Sequence, residues 1–85
     1  LGSLINQFEL MTEVKELKEN AYDLTAMSKE LKVHEFRIRK SMTAGNRMSL
    51  ERLKRILVDL YETDAAIKRG DIDGGVALEL LVGRI

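Results

Sequence analysis

The chain contains no cysteine, no proline and no tryptophan, and aromatic residues make up only 5% of its 85 positions. Without cysteine there is no disulfide, no zinc–thiolate centre and no thiol nucleophile, and nothing points to an oxidising compartment. Without proline, nothing forces a helix to kink or stop early. No apolar run approaches the roughly 20 residues needed to span a bilayer, and the first residues lack the basic-then-apolar layout of a signal peptide. These absences lead to the expectation of a soluble protein, cytoplasmic, with no membrane partner.

What is present favours helices. One third of the residues are charged, no segment alternates in the strand manner, and 85 residues make one domain with a single modest core. Formal net charge is zero, but residues 29–55 hold nine bases and only three acids, whereas the segments on either side are acidic. That basic block either meets nucleic acid or an acidic partner, or is simply a solvated face.

Helical spacing places a first helix from Leu1 to about Glu19. No capping residue precedes it, which suggests a piece of a longer chain, although Leu1-Gly2-Ser3 would also fit an expression scar. Leu4, Ile5, Phe8 and Met11 share one face of this helix, and Leu10, Val14, Leu17 and Ala21 share another about 150° away. One of these faces is expected to meet a neighbouring protein. Asp23 caps a short helix to about Lys32, Val33-His34 turns the chain, and a third helix from Glu35 to Thr43 is expected to bury Phe36 and Ile38 or Met42. Ala44-Gly45-Asn46 ends it. Ser49 then caps a helix reaching Arg69, long enough to be the backbone of the domain, and Gly70 stops it. A turn at 71–75 leads to a last helix, Val76 to Ile85, apolar nearly all round, which must be wrapped by its own domain or by another chain. The expected architecture is an all-α, compact five-helix bundle occupying residues 1–85.

Little in the sequence can carry chemistry. His34 has no motif partner and reads as a structural or surface residue. Asp71-x-Asp73-Gly74 opens like a calcium loop, but the twelfth position is Val82 where a bidentate glutamate is required. The glycines at 70, 74 and 75 lack the lysine and hydroxyl residue of a phosphate-binding loop. No metal and no cofactor is expected. Met11, Met27, Met42 and Met48 are scattered as core fillers would be. Asp64 is the unusual residue: it falls on the stripe made by Leu50, Leu53, Leu57, Leu60 and Ile67, where a carboxylate needs a partner, and Lys68 one turn later is the candidate for a structural ion pair.

An interaction protein is therefore favoured over an enzyme. Leu10, Val14, Leu17, Leu80 and Ile85 are expected at an interface with neighbouring subunits. The alternative is a helix-turn-helix DNA-binding module within 29–55: Met27, Leu31, Val33 and Ile38 fit its apolar skeleton, and Arg37, Arg39 and Lys40 would decorate the helix that enters the major groove. Ser28 and Lys32 stand where such motifs usually have alanine and glycine.

Several segments together resemble one family. Gln7-Phe8, Leu10-Met11 and Val14-Lys15-Glu16-Leu17-Lys18 resemble its first helix, and Leu31-Lys32-Val33-His34-Glu35-Phe36-Arg37 resembles its Leu-x-Val-His-Pro-Phe turn. Ser49-Leu50-Glu51-Arg52-Leu53 opens the long helix in the same manner; Asp64, Lys68 and Gly70 match an Asp-x-x-x-Lys-x-Gly signature, followed by Leu78-Glu79-Leu80-Leu81. The family is the C-terminal domain of the delta subunit of bacterial DNA polymerase III, a component of the sliding-clamp loader. Glu35 departs from the pattern, standing where the family often has proline. The resemblance implies a non-catalytic helical collar within the DNA polymerase III holoenzyme, associating with the gamma/tau and delta-prime subunits. It also implies an ATPase-like module without a working nucleotide site elsewhere in the subunit, contact with the sliding clamp through a more N-terminal region, and access to DNA through the assembly.

Overall fold

The computed structural model describes residues 1–70 and, beyond them, Gly75, Glu79, Val82 and Gly83. The described residues are all-helical, with four helices in chain order: α1 (Gly2–Glu19), α2 (Leu24–Leu31), α3 (Glu35–Gly45) and α4 (Leu50–Arg69). The fifth helix expected over Val76–Ile85 falls largely outside the described residues, so the architecture stands at four helices rather than five.

Local chemistry accounts for the helix boundaries. Asp23 Oδ1 accepts from the Ala26 amide at 2.7 Å and Ser49 Oγ from the Arg52 amide at 3.1 Å, each satisfying an amide that the first turn leaves unpaired. His34 does the same for α3: its Nδ1 accepts from the Phe36 amide at 3.1 Å, which fixes this ring as a helix cap. Gly70, at φ 77°, ends α4 in the left-handed conformation that glycine adopts without steric cost. Lys32 ends α2 in the same conformation at φ 55°, where a Cβ is unfavourable. Ser28 holds that turn closed, its hydroxyl donating to the Val33 carbonyl at 2.7 Å.

Helix α1 is the centre of the domain, with α4 packed on one side and α2 and α3 on the other. Ile5, Phe8 and Met11 form one core with Leu53, Ile56 and Leu60 of α4. Leu10 and Val14 form a second core with Met27 of α2 and Ile38 of α3. The two-faced character of α1 is thus satisfied inside the chain, correcting the expectation that one face waits for a neighbour. The reason is geometric: faces about 150° apart let one helix serve as the middle layer of three, so α1, not the longer α4, is the backbone.

Cross-helix contacts fix the register. Tyr61 Oη donates to Glu9, and Lys54 Nζ lies 3.4 Å from Glu16 Oε1. The pairs are separated by seven residues on each helix and run in opposite directions, which requires antiparallel α1 and α4 with matched two-turn steps. The exposed Lys54–Glu16 bridge itself contributes only about 0–1 kcal/mol. On the other side of α1, Lys15 Nζ donates to the Gly45 carbonyl at 3.1 Å, a cation at the C-terminal end of α3. The buried Thr12 hydroxyl is satisfied by the Phe8 carbonyl at 2.8 Å.

Phe36 departs from expectation. It is 61% exposed while Ile38 is completely buried. Two residues along a helix are about 200° apart, so the two side chains cannot share one core, and Ile38 faces α1 and α2. Phe36 instead stacks beneath Lys40, whose Nζ is 5.4 Å from the ring centroid.

Two stability measurements test this packing. Ile38→Ala should cost about 2–5 kcal/mol in chemical denaturation, against under about 1 kcal/mol for Phe36→Ala, because only the first opens a cavity. Lys32→Gly should be stabilising: relief of about 1–2 kcal/mol of left-handed strain exceeds the roughly 0.4–1 kcal/mol of added unfolded-chain entropy. The melting temperature should rise by a few degrees; a fall would show that the lysine side chain contributes more to the turn than its backbone costs.

Candidate interaction surface

The described residues contain no group of three or more histidine, cysteine, aspartate or glutamate side chains placed to hold a metal ion. Among them, no buried side-chain polar atom is left without a hydrogen-bond partner. A groove of about 390 Å³ between α1 and α3 is bordered by Gln7, Leu10, Met11, Arg37, Lys40, Ser41 and Ala44. It brings two cations together but no general base or nucleophile–base pair, so it offers no route to acid–base or covalent catalysis.

The residues singled out by sequence occupy distinct places. Leu10 is 9% exposed and Val14 only 2%; both belong to the second core and are corrected from interface residues to packing residues. Leu17 is half-buried against the same core. Leu80 and Ile85 lie outside the described residues. Asp64 and Lys68 meet as an i,i+4 pair, Nζ to Oδ2 2.8 Å, with the lysine side chain 75% exposed and the aspartate 28%. At that exposure the pair contributes about 0.3–0.5 kcal/mol, a detail of the last turns of α4 rather than a reactive centre. Arg37, Arg39 and Lys40 are all exposed on α3.

A further surface comes from α4. Among the described residues its main packing partner is α1 alone. With Leu53, Ile56 and Leu60 turned inward, Val58 and Tyr61 stand outward, 53% and 48% exposed, and Ala65 continues the line one turn later, half-buried. Sequence reasoning passed over this ridge, although a helical wheel anchored on Leu60 places Val58 about 160° from the core direction. Tyr61 is tethered at the ridge by its bond to Glu9. That bond, followed by partial desolvation and then the negative charges of Glu9 and Glu13, raises the Tyr61 pKa above 10.0.

No helix among the described residues is long and apolar enough to cross a membrane. A small helical domain with closed cores, no assembled reactive centre and an apolar ridge on its longest helix is a protein-association module. Over residues 1–85 the chain matches the family described as DNA polymerase III delta subunit, C-terminal domain. It is also 34% identical over 82 residues to the DNA polymerase III subunit delta of Bacillus subtilis (strain 168), an alignment covering 96% of this chain and 24% of that protein. The chain belongs to this family of C-terminal domains of the DNA polymerase III delta subunit, and it spans about a quarter of the length of the curated relative it matches. No solved structure matches it significantly.

The Tyr61 tether gives a pH signature. Neutral Tyr61 is favoured by folding, so its contribution is fully present below the unfolded value of 10.0 and is lost as pH rises through the higher folded pKa. In a Tyr22→Phe background, absorbance titration should show Tyr61 ionising above 10.0, and Tyr61→Phe should abolish that part of the alkaline fall in melting temperature. A titration midpoint at or below the free value would show that the bond to Glu9 does not form in solution.

Proposed function

We propose that the chain is the non-catalytic collar of a clamp-loader delta subunit, joining its subunit to gamma/tau and delta-prime neighbours in the bacterial cytoplasm. Contact with the sliding clamp then belongs to the N-terminal part of the same subunit. The observation that carries this reading, beside family membership, is that α4 packs chiefly on one helix, leaving Val58, Tyr61 and Ala65 as a ridge with unsatisfied apolar surface. Leu80 and Ile85 are proposed as further contact residues. The absence of a convergent reactive cluster among the described residues is compatible with a role in holding subunits together.

The test uses the full-length protein. Val58→Arg combined with Ala65→Arg places two cations on the ridge without touching either core, so folding should be retained in a thermal melt. Mixed with gamma/tau and delta-prime, the variant should fail to co-elute as a complex, or should bind at least about tenfold more weakly, as desolvating unpaired charges at an interface costs over about 1.4 kcal/mol. Leu80→Glu with Ile85→Glu should act in the same direction. Unchanged assembly in both variants would exclude these surfaces as collar contacts.

A further inference from the structure

The basic block left unused by that reading lies on one element. Taking Ile38 as the inward direction of α3, Phe36, Lys40, Thr43 and, just past the helix end, Arg47 line up along the opposite side, with Arg37 and Arg39 about 100° from the core direction on either flank. All six are exposed. No ion pair among the described residues engages Arg37, Arg39, Lys40 or Arg47; Lys40 contacts only the face of the Phe36 ring. Glu35, the one acid on α3, sits roughly 120° around the helix from the outward line.

The backbone around this face has the form of a helix-turn-helix. An eight-residue helix ends at Leu31, Lys32 turns the chain with φ 55°, and His34 caps an eleven-residue helix. The turn position that glycine normally fills is occupied by lysine, yet it takes the left-handed conformation that glycine would. Ser28, in place of the usual alanine, is accommodated because its hydroxyl is satisfied by the Val33 carbonyl. Met27 and Ile38 close the angle between the two helices, 1% and 0% exposed.

We propose that the outer face of α3 binds duplex DNA, seated in the major groove, with Arg37 and Arg39 on the phosphates of its two walls and Lys40 and Arg47 between them. An α-helix fits the major groove, about 12 Å wide, so cations on both flanks of the helix face both phosphate rows. Nothing on this face offers the bidentate amide pattern that reads adenine, and Thr43 Oγ1 is turned back to the Arg39 carbonyl at 3.1 Å. Binding is therefore chiefly electrostatic and tolerant of sequence. This surface is separate from the α4 ridge, so its failure would leave the collar reading standing, and the converse holds.

The experiment is fluorescence anisotropy of the 85-residue chain, whose cores close within the described residues, on a mixed-sequence duplex of about 20 base pairs between about 50 and 200 mM salt. The unmodified chain should bind, with affinity falling steeply as salt rises. Arg37→Ala, Arg39→Ala and Lys40→Ala together should weaken binding at least about tenfold at low salt and flatten the log–log salt slope by about three. Removing the same amount of charge from α4 (Arg55→Ala, Lys68→Ala, Arg69→Ala) should change affinity less than about threefold, since those groups lie outside the contact. Melting curves for each variant confirm the fold. No binding at the lowest salt, equal loss from both triple variants, or a single strand of the same sequence bound as tightly as the duplex would each overturn the proposal.

Discussion

Everything in this domain depends on α1 being apolar on two sides. A helix with one apolar stripe needs one partner, and the rest of its surface belongs to water. A helix with two stripes about 150° apart needs a partner on each side, and that demand places α4 against Ile5, Phe8 and Met11 and the α2–α3 pair against Leu10 and Val14. The core is consequently split into two clusters separated by the α1 backbone. Lys15, reaching the Gly45 carbonyl, and Glu9 and Glu16, meeting Tyr61 and Lys54, attach both outer layers to the same central helix.

The arrangement explains why the interaction surfaces lie where they do. An element in an outer layer can be covered by the centre on only one side. For α4 that leaves an apolar ridge at Val58 and Tyr61; for α3 it leaves a cationic face beginning at the exposed Phe36. Both are consequences of layering, and they differ in chemistry because one outer helix carries valine, tyrosine and alanine outward while the other carries lysine and arginine. Two faces on opposite outer layers can meet different partners without either competing with the cores.

Legibility from sequence is uneven for physical reasons. Helix ends are readable wherever a side chain or a glycine performs the capping itself, as at Asp23, Ser49 and Gly70, because those signals act over three or four residues. The cap made by His34 is less legible, since an imidazole serves at that position only through the orientation of Nδ1. Phe36 and Ile38 cannot be assigned to core or surface until the direction of α3 relative to α1 is known. The α4 ridge escapes sequence reasoning because valine and tyrosine on a helix read as core until its packed neighbours are known. Leu10 and Val14 read as outward-facing only if so small a chain buries one face of a helix, a premise the middle position of α1 removes.

The sequence by itself determined an all-helical chain, the extents of its first four helices, the absence of cysteine chemistry, the basic character of the segment around α3 and the resemblance to the C-terminal domain of the delta subunit. Each of these rests on composition or on contacts within a few residues along the chain. Tertiary structure alone decided which helix is central, which apolar residues are core, and which faces remain open, because those outcomes depend on how many neighbours each helix acquires. Periodicity marks a face as apolar or charged; only the packing of α1 between its two layers decides whether water, another helix or a partner meets it.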